Sequence, residues 1–396
     1  MDSSNLTSLP EDPLEDNQQQ PPPQPRPLPA FASPRPDRPP TQTSSEKYSA
    51  LDWKEYFDKE DDISIPDSND IFHLYTAGTD GPVVFCLHGG GYSGLSFALS
   101  ASKIKEKARV VAMDLRGHGK STTANDTDLS IETMCNDVLA VVTAMYGDSP
   151  PAIVLVGHSM GGSVAVHVAA KKALSSLAGL VVVDVVEGTA LASLVHMQKI
   201  LSSRVQRFSS IEKAIELSVR GGSLRNIESA RVSIPSTLKY DDSKKCYIYR
   251  ARLEETEQYW KSWYEGLSEK FLSSPVPKVL LLAGTDRLDS YIYRARLEET
   301  EQYWKSWYEG LSEKFLSSPV PKVLLLAGTD RLDRALTIGQ MQGKFQMVVV
   351  RHTGHAIQED VPDEFATLVT NFVSRNRIGP RGVEIPGLRR PSQSKP

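Results

Sequence analysis

The sequence is poor in the features that mark secreted and disulfide-bonded proteins. Only three cysteines occur among its 396 residues, Cys86, Cys135 and Cys246, and their spacing forms no paired pattern. Cys86 lies in an apolar run typical of a strand, so we expect reduced, structural thiols in a cytosolic or nuclear protein. The first residues lack a basic stretch followed by an apolar one, so no secretion signal is expected.

Long hydrophobic runs and a surplus of positive charge are also missing. No apolar run approaches the roughly 20 residues that a membrane-spanning helix needs, so we expect a soluble protein without a membrane partner. The net charge is -4 at pH 7, which argues against a general affinity for nucleic acid. Neither H-E-x-x-H nor C-x-x-C occurs. Because these are the common metal-binding patterns, we expect no metal and no cofactor.

The two ends of the chain differ in composition from its middle. Residues 1–46 hold 12 of the 26 prolines and almost no aliphatic clusters. Such a segment buries too little apolar surface to offset the entropy of ordering, so it is predicted to be disordered. Residues 377–396 contain four prolines and some basic charge and are predicted to form a flexible tail. Residues 47–376 remain as one folded domain.

The middle of the chain has the pattern of an α/β protein. Short apolar runs bounded by Gly, Asp and Pro alternate with segments of helical period, which predicts a mostly parallel sheet with helices on both faces. The predicted strands are Asp70–Ala77, Val83–Leu87, Arg109–Met113, Ala152–Val156, Gly179–Val183, Lys322–Leu326 and Gln346–Val350. The predicted helices include Ile131–Met145, Gly161–Ala173 and Asp363–Ser374. Between residue 187 and about 272 helical stretches replace strands. This predicts a helical cap inserted after the strand Gly179–Val183, which we count as the sixth strand of the fold.

One segment of the chain is present twice. Tyr247–Asp289 recurs without a change at Tyr291–Asp333, and a single identical pair does not fit a solenoid, which needs three or more similar units. Each copy carries an amphipathic stretch followed by the strand sequence VPKVLLLAG. Because a slot in a sheet admits one strand, we predict that Lys322–Leu326 joins the sheet and that the first copy, Lys278–Leu282, is displaced.

A serine at a sharp turn is the first candidate catalytic residue. The apolar strand Ala152–Val156 is followed by Gly157-His-Ser-Met-Gly-Gly162 and then by a predicted helix. Glycines on both sides permit a strand-to-helix turn that exposes the hydroxyl of Ser159 above the helix N-terminus. A glycine-rich turn with an inert serine would not explain this context, so we interpret Ser159 as a nucleophile.

A glycine run upstream of the serine is placed to stabilise a developing negative charge. The strand Val83–Leu87 ends in His88-Gly-Gly-Gly91. Backbone N–H groups of Gly89 and Gly90, together with that of Met160, are the expected donors to an oxyanion.

The base and the acid of a catalytic triad should follow later strands. His355 follows a glycine in the loop after the last predicted strand, and we interpret it as the general base in preference to His352. Two aspartates compete for the role of the acid. Asp184 ends the strand Gly179–Val183, and Asp330, which is repeated as Asp286, follows the strand Lys322–Leu326. The residues alone leave this choice open.

Several longer stretches resemble the protein phosphatase methylesterase family. Met113–Gly119 and the two glycine motifs occur in many hydrolases, whereas three further stretches are much more specific: Asp128–Met134, Asp184–Ala190 and Leu336–Met347. The resemblance extends over roughly residues 47 to 375, and the duplication departs from it. It implies an α/β-hydrolase fold with a central sheet of about eight strands, and it favours Asp184 as the acid.

The resemblance also implies an activity and a partner. Members of this family remove the methyl ester from the C-terminal leucine of the catalytic subunit of type 2A protein phosphatase, and they bind the phosphatase core enzyme. We therefore expect a monomeric serine carboxylesterase of the cytoplasm or nucleus. Two alternatives are a small-molecule esterase or lipase on the same fold, and a phosphatase-binding protein that has lost catalysis.

Overall fold

In the computed structural model, structure is described for residues 44–283, 311–317, 319, 321–326, 338, 341–342, 346–350 and 353–383. Residues 1–43, most of the segment predicted to be disordered, therefore lie outside the described residues. The described residues form thirteen strands: β1 Lys59–Ser64, β2 Ile71–Ala77, β3 Val83–Leu87, β4 Arg109–Met113, β5 Ile153–His158, β6 Leu177–Val183, β7 Leu238–Asp241, β8 Cys246–Tyr249, β9 Lys278–Leu281, β10 Lys322–Leu326, β11 Gln346–Val349, β12 Ile378–Gly379 and β13 Gly382–Val383.

Nine of these strands form one central sheet in the order β1-β2-β4-β3-β5-β6-β9-β10-β11. The pairings of β1 with β2 and of β2 with β4 are antiparallel, and all the others are parallel. The predicted class, a mostly parallel sheet within an α/β protein, is confirmed. All seven predicted strands are present, with bounds that differ by at most two residues.

The centre of the sheet is buried on both faces. Strand β3 is buried along its whole length, as is β5, which explains why both read as continuous apolar runs rather than as alternating patterns. Edge strand β1 was missed by the sequence analysis. Its sequence, KEDDIS, is almost entirely exposed, so pairing with β2 and not apolar alternation makes it a strand.

Helices cover both faces of the sheet. On one face α2 (Ala98–Ile104) packs with α12 (Pro362–Arg375) in a shared apolar cluster, and on the other α3 (Ile131–Tyr146) packs with α4 (Met160–Lys171). The helices of the described residues are α1 Ser44–Lys47, α2 Ala98–Ile104, α3 Ile131–Tyr146, α4 Met160–Lys171, α5 Glu187–Ser203, α6 Ile211–Arg220, α7 Ile227–Ser236, α8 Glu257–Tyr264, α9 Leu267–Ser273, α10 Leu311–Ser317, α11 Ile357–Asp360 and α12 Pro362–Arg375. No helix in this part of the chain is both long and apolar enough to span a membrane.

The segment between β6 and β9 contains helices α5 to α9. We refer to it below as the cap. Its helical character was predicted from the sequence, whereas the small hairpin of β7 and β8 was not. The helix α6 begins at a side-chain cap, since Ser210 Oγ accepts a hydrogen bond from the N–H of Lys213 at 3.2 Å, the arrangement that satisfies a free N–H in the first turn.

The duplicated segment contradicts our prediction that one copy is displaced. Strand β9, from the first copy, pairs with β6, and β10, from the second copy, pairs with β9 in matching register, Lys322 opposite Lys278. The prediction was wrong because it took the place of the last strand as fixed. An open sheet edge offers unpaired N–H and C=O groups. Therefore β10 adds beside β9, β11 moves outward by one strand, and the sheet has nine strands rather than about eight.

The C-terminal segment also differs from its prediction. Strands β12 and β13, within residues predicted to be a flexible tail, pair as a short antiparallel hairpin. The carbonyl of Pro380 accepts a hydrogen bond from the N–H of Ala152 at 2.9 Å, which fixes the hairpin to the start of β5. The folded unit therefore extends beyond residue 376 to Val383 at least.

Candidate active site

Ser159 occupies the turn between β5 and α4, at the carboxyl end of the sheet. Its φ of 51° and ψ of -117° lie in a region that costs of order 1–3 kcal/mol for a residue other than glycine. A Cβ on Gly157 would lie 2.2 Å from the carbonyl oxygen of Gly161, and a Cβ on Gly161 would lie 2.3 Å from that of Leu87. Only glycine fits at these two positions, so the motif is a steric requirement of the turn.

Two contacts hold the strained turn in place. The N–H of Ser159 donates to the carbonyl of Val183 in β6 at 2.8 Å. Behind it, α4 is buried along nearly its whole length, so the helix N-terminus is fixed beneath the serine. The positive end of the helix dipole therefore points at the site where negative charge would develop.

The glycine loop His88–Gly91 lies against this turn. A Cβ on Gly89 would be 3.3 Å from the Cβ of Ser159, and one on Gly90 would be 3.8 Å from the Sδ of Met160. Among the hydrogen bonds of the described residues, none is donated by the backbone N–H of Gly89 or Gly90. The N–H of Met160, as the first residue of α4, has no partner within the helix. Close to Ser159 there are thus three N–H groups that make no hydrogen bond within the described part of the chain.

Two neutral histidines give the glycine loop its shape. His88 Nε2 accepts from the N–H of Leu115 at 2.9 Å, so its Nδ1 donates to the carbonyl of Gly89 at 2.8 Å. His118 Nε2 accepts from the N–H of Gly91 at 2.9 Å. Burial lowers the pKa of His118 to about 4 and holds the pKa of His88 well below its ordinary value. Both rings therefore stay neutral at physiological pH and can accept these bonds.

His355 and Asp184 are in direct contact. The Nδ1 of His355 lies 2.7 Å from Oδ2 of Asp184, and Oδ1 of Asp184 accepts from the N–H of Ala283 at 2.9 Å. Burial works to lower the pKa of His355, but the hydrogen bond and the negative charge of Asp184 outweigh it, so the pKa is raised above its ordinary value. Because the ring is about half exposed, at 49%, solvent screens part of this interaction.

His158 connects the serine turn to the segment 353–356, which carries His355 and which we call the histidine loop. Its Nε2 lies 3.0 Å from the carbonyl oxygen of His355, and the two ring centroids are 4.7 Å apart. Burial and the neighbouring His355 hold the pKa of His158 well below its ordinary value. A neutral ring can donate this bond from Nε2, so His158 fixes the backbone on which the candidate base is carried.

Three alternative site residues lie outside the described residues: the acids Asp330 and Asp286 and the competing base His352. No hydrogen bond in the described part of the chain joins the hydroxyl of Ser159 to the ring of His355. Catalytic hydrogen bonds are often long before substrate binds. Within the same residues, no cluster of three or more His, Cys, Asp or Glu side chains could hold a metal ion.

Two cap residues near the glycine loop were missed by the sequence analysis. The side chain of Leu253 would meet a Cβ on Gly90 at 3.5 Å and one on Gly91 at 3.4 Å, and Nη1 of Arg204 would lie 3.8 Å from the latter. The guanidinium of Arg204 stacks on the ring of Tyr249 at 4.1 Å. No local pattern marked these residues, because only the folding of the cap brings them to the site.

Comparison with known proteins first defines the class. A family model described as "Alpha/beta hydrolase family" matches residues 83–368. The chain also resembles the crystal structure of E-2-(acetamidomethylene)succinate hydrolase, with a TM-score of 0.54 at 17% identity over 80% of this chain and 99% of that one. At that identity the structural likeness shows the fold alone. The fold and the matched model make the chain an α/β hydrolase.

Comparison with curated proteins narrows this class. A cattle (Bos taurus) protein named "Protein phosphatase methylesterase 1" is 43% identical over 84% of this chain and 87% of its own length. A Caenorhabditis elegans protein named "Probable protein phosphatase methylesterase 1" is 41% identical over 87% of this chain and 83% of its own length. The chain belongs to the protein phosphatase methylesterase family and is a carboxylic ester hydrolase.

Proposed function

We propose that this chain is a serine esterase that removes the methyl ester from the C-terminal leucine of the catalytic subunit of type 2A protein phosphatase. The observation that carries the proposal is the 2.7 Å contact between His355 and Asp184 beside the strained serine turn. A histidine oriented by a carboxylate, close to a partly exposed serine on a strained turn, is the arrangement of acyl-transfer enzymes. The names of the relatives support the choice of a phosphatase ester as substrate.

The proposed mechanism has two steps. The Oγ of Ser159 attacks the ester carbonyl while Nε2 of His355 takes the hydroxyl proton. N–H groups of Gly89, Gly90 and Met160 stabilise the oxyanion that forms. The C–O bond to methanol then breaks, and His355 returns the proton to the leaving methoxide. In the second step water attacks the acyl-enzyme and His355 accepts its proton. His355 then returns this proton to the Oγ of Ser159 as the bond between Oγ and the acyl carbon breaks. The leucine acid is released and loses its own proton to water, which gives the carboxylate.

Two neighbouring serines, Ser159 in the turn and Ser163 in α4, test the nucleophile. We expect Ser159→Ala to lower turnover by several orders of magnitude, down to a residual rate of roughly 10³–10⁴-fold over water. Ser163, one turn further along, is fully buried and its hydroxyl has no partner among the described residues. Ser163→Ala is therefore the matched control and should retain activity. Near-normal turnover of Ser159→Ala would exclude the mechanism.

The choice of substrate requires two assays on the same preparations. The first assay measures hydrolysis of a short p-nitrophenyl ester, and the second measures demethylation of a methylated peptide of the phosphatase tail. Activity on the first alone would favour a small-molecule esterase, and activity on neither would favour a binding protein without catalysis. We expect both to be hydrolysed and both to depend on Ser159.

The identity of the acid is the second prediction. We expect Asp184→Asn to reduce kcat by about 10⁴-fold, as loss of the orienting carboxylate does in triads, and Asp330→Asn to reduce it far less. The base must be neutral, so activity should fall as pH drops through the raised pKa of His355. Asp184→Asn removes the negative charge that raises this pKa. The residual activity of the variant should therefore persist to lower pH than that of the wild-type chain. A larger loss at Asp330 would transfer the acid to that residue.

The partner and the compartment follow from the same proposal. We propose binding of the phosphatase catalytic subunit and of its core enzyme by a monomer of this chain, in the cytoplasm or nucleus. Co-purification of the Ser159→Ala variant with methylated phosphatase tests the complex independently of turnover. Light scattering of the free protein tests the monomeric state.

A further inference from the structure

Two consecutive carboxyl groups connect the histidine loop to the cap. Both belong to α11, which begins two residues after His355. The Oδ2 atom of Asp360 accepts a hydrogen bond from the N–H of Gly354 at 2.6 Å, and its Oδ1 accepts from the N–H of Arg225 at 2.7 Å. Gly354 immediately precedes His355, and Arg225 lies just before α7. One carboxylate therefore joins the backbone that carries the candidate base to the backbone of the cap.

The neighbouring carboxyl group makes a second connection. Glu359 is fully buried, and its Oε2 accepts from the hydroxyls of Ser229 at 3.0 Å and Ser233 at 2.7 Å. Both serines lie on α7, one turn apart. Its Oε1 has no hydrogen-bond partner among the described residues, and no ion pair to it is found there. A carboxyl group in this environment lacks the cation that burial of a negative charge requires.

The charged group that acts on Glu359 is a carboxylate. Asp360 adjoins it on α11, and the hydroxyl of Tyr92, after the glycine loop, interacts electrostatically with both carboxyls. From α7 the hydroxyls of the two serines donate to Glu359. Burial raises the pKa of Asp360, while the backbone N–H groups of Arg225 and Gly354 and the guanidinium of Arg225 oppose this by favouring the charged form. Burial, opposed by the two serines and reinforced by Asp360, raises the pKa of Glu359 to about 8.

We propose that Glu359 and Asp360 are positioning residues that couple the cap to His355: Asp360 as an anion bonded to both backbones, and Glu359 as a neutral acid bonded to α7. The two groups differ in charge because their partners differ. Two backbone N–H donors stabilise the anion of Asp360, whereas two hydroxyls at a buried helix contact are not enough to stabilise an anion at Glu359. The inference rests on the proposed function of His355. Its consequence is that cap and histidine loop move together.

Ionisation of Glu359 is then expected to loosen this connection. Its folded-state pKa is raised, so the neutral form is the one that the fold favours, and stability is lost as pH rises from the ordinary carboxyl pKa through the raised value. At alkaline pH the buried charge should attract water and separate α7 from α11. The geometry of His355 would follow, and a displacement of about 1 Å can reduce a rate about 10²-fold.

The first test is the pH profile of Glu359→Gln. The amide keeps an oxygen for Ser229 and Ser233 and cannot ionise. We expect kcat/KM of the wild-type chain for a p-nitrophenyl ester, corrected for spontaneous hydrolysis, to fall severalfold between pH 7 and 9, and that of Glu359→Gln to stay level. If the variant is poorly folded, Ser233→Ala replaces it. Loss of that hydroxyl should move the alkaline limb to higher pH.

The second test is Asp360→Asn with Asp363→Asn as the control. The amide nitrogen would face one of two N–H donors, so one connection is lost. We expect kcat to fall by about 10- to 100-fold with little change in KM, while a melting curve shows that the variant is still folded at pH 7. Asp363 is exposed, and its variant should behave as the wild-type chain.

The outcomes separate the two proposals. A Ser159-dependent enzyme whose Glu359→Gln profile superimposes on that of the wild type, or whose Asp360→Asn variant retains kcat, would overturn the inference alone. Activity that survives Ser159→Ala would overturn the proposed function instead.

Discussion

The two copies of the duplicated segment have the same sequence but different surroundings. In the first copy, residues up to Ala283 are described, and they form β8, α8, α9 and β9. In the second copy the described residues form α10 and β10. Helix α10 has the same sequence as α9, and β10 contains the sequence of β9, so local structure is reproduced where both copies are described. The neighbours of the strand differ between the copies, since β9 lies between β6 and β10 while β10 lies between β9 and β11.

The position beside β6 gives the first copy contacts that only one strand can have. The carbonyl of Leu281 accepts from the N–H of Asp184 at 2.7 Å, and Ala283 donates to the Asp184 carboxylate. Upstream, the indole of Trp263 donates to the carbonyl of Leu129 at 2.6 Å. The first copy therefore supports the candidate acid. The local sequence therefore determines that each copy forms a helix and a strand. The free edge of the sheet determines where each strand pairs.

The largest expected effect is at Trp263. The side chain is almost fully buried, so Trp263→Ala should cost about 3–5 kcal/mol of unfolding free energy, measured by urea denaturation. We expect a clearly smaller loss for Trp307→Ala, the same change in the second copy, because Trp263 already fills the buried place beside Leu129. Equal losses would mean that the two copies are packed alike and would remove the distinction between them.

A second pair of variants examines the position where the copies are most alike. Phe271 in α9 and Phe315 in α10 are both 7% exposed. We therefore expect Phe271→Ala and Phe315→Ala to destabilise the protein by similar amounts, about 3 kcal/mol each. A loss confined to Phe271 would indicate that α10 contributes little to the fold.

The smallest expected effect follows removal of one copy. Deletion of residues 247–290 and deletion of residues 290–333 give the same polypeptide, so one variant represents both. The remaining copy can provide the strand beside β6 and the N–H that Asp184 accepts. We expect kcat/KM to stay within roughly threefold of the full chain, less than about 1 kcal/mol in the barrier. Loss of activity would show that the nine-stranded sheet is needed for catalysis.

Local sterics explain which features could be predicted. The strand bounds followed from continuous apolar runs, and the serine turn followed from Gly157 and Gly161, whose replacement would place a Cβ within 2.3 Å of a backbone oxygen. Helices α3, α4 and α12 were predicted to within two residues at each end. These features depend on neighbours close in sequence, which a pattern of residues records directly.

Tertiary structure decided the features that depend on distant residues. Strand β1 has no apolar alternation and forms only because β2 presents a partner. The contact between His355 and Asp184 joins residues 171 positions apart, and Glu359 meets Ser229 across 130, so no spacing rule could identify either. The place of the second copy was decided in the same way. By itself the sequence determined that Lys322–Leu326 is a strand, but the free edge of β9, which exists only once the sheet has assembled, determined where that strand pairs.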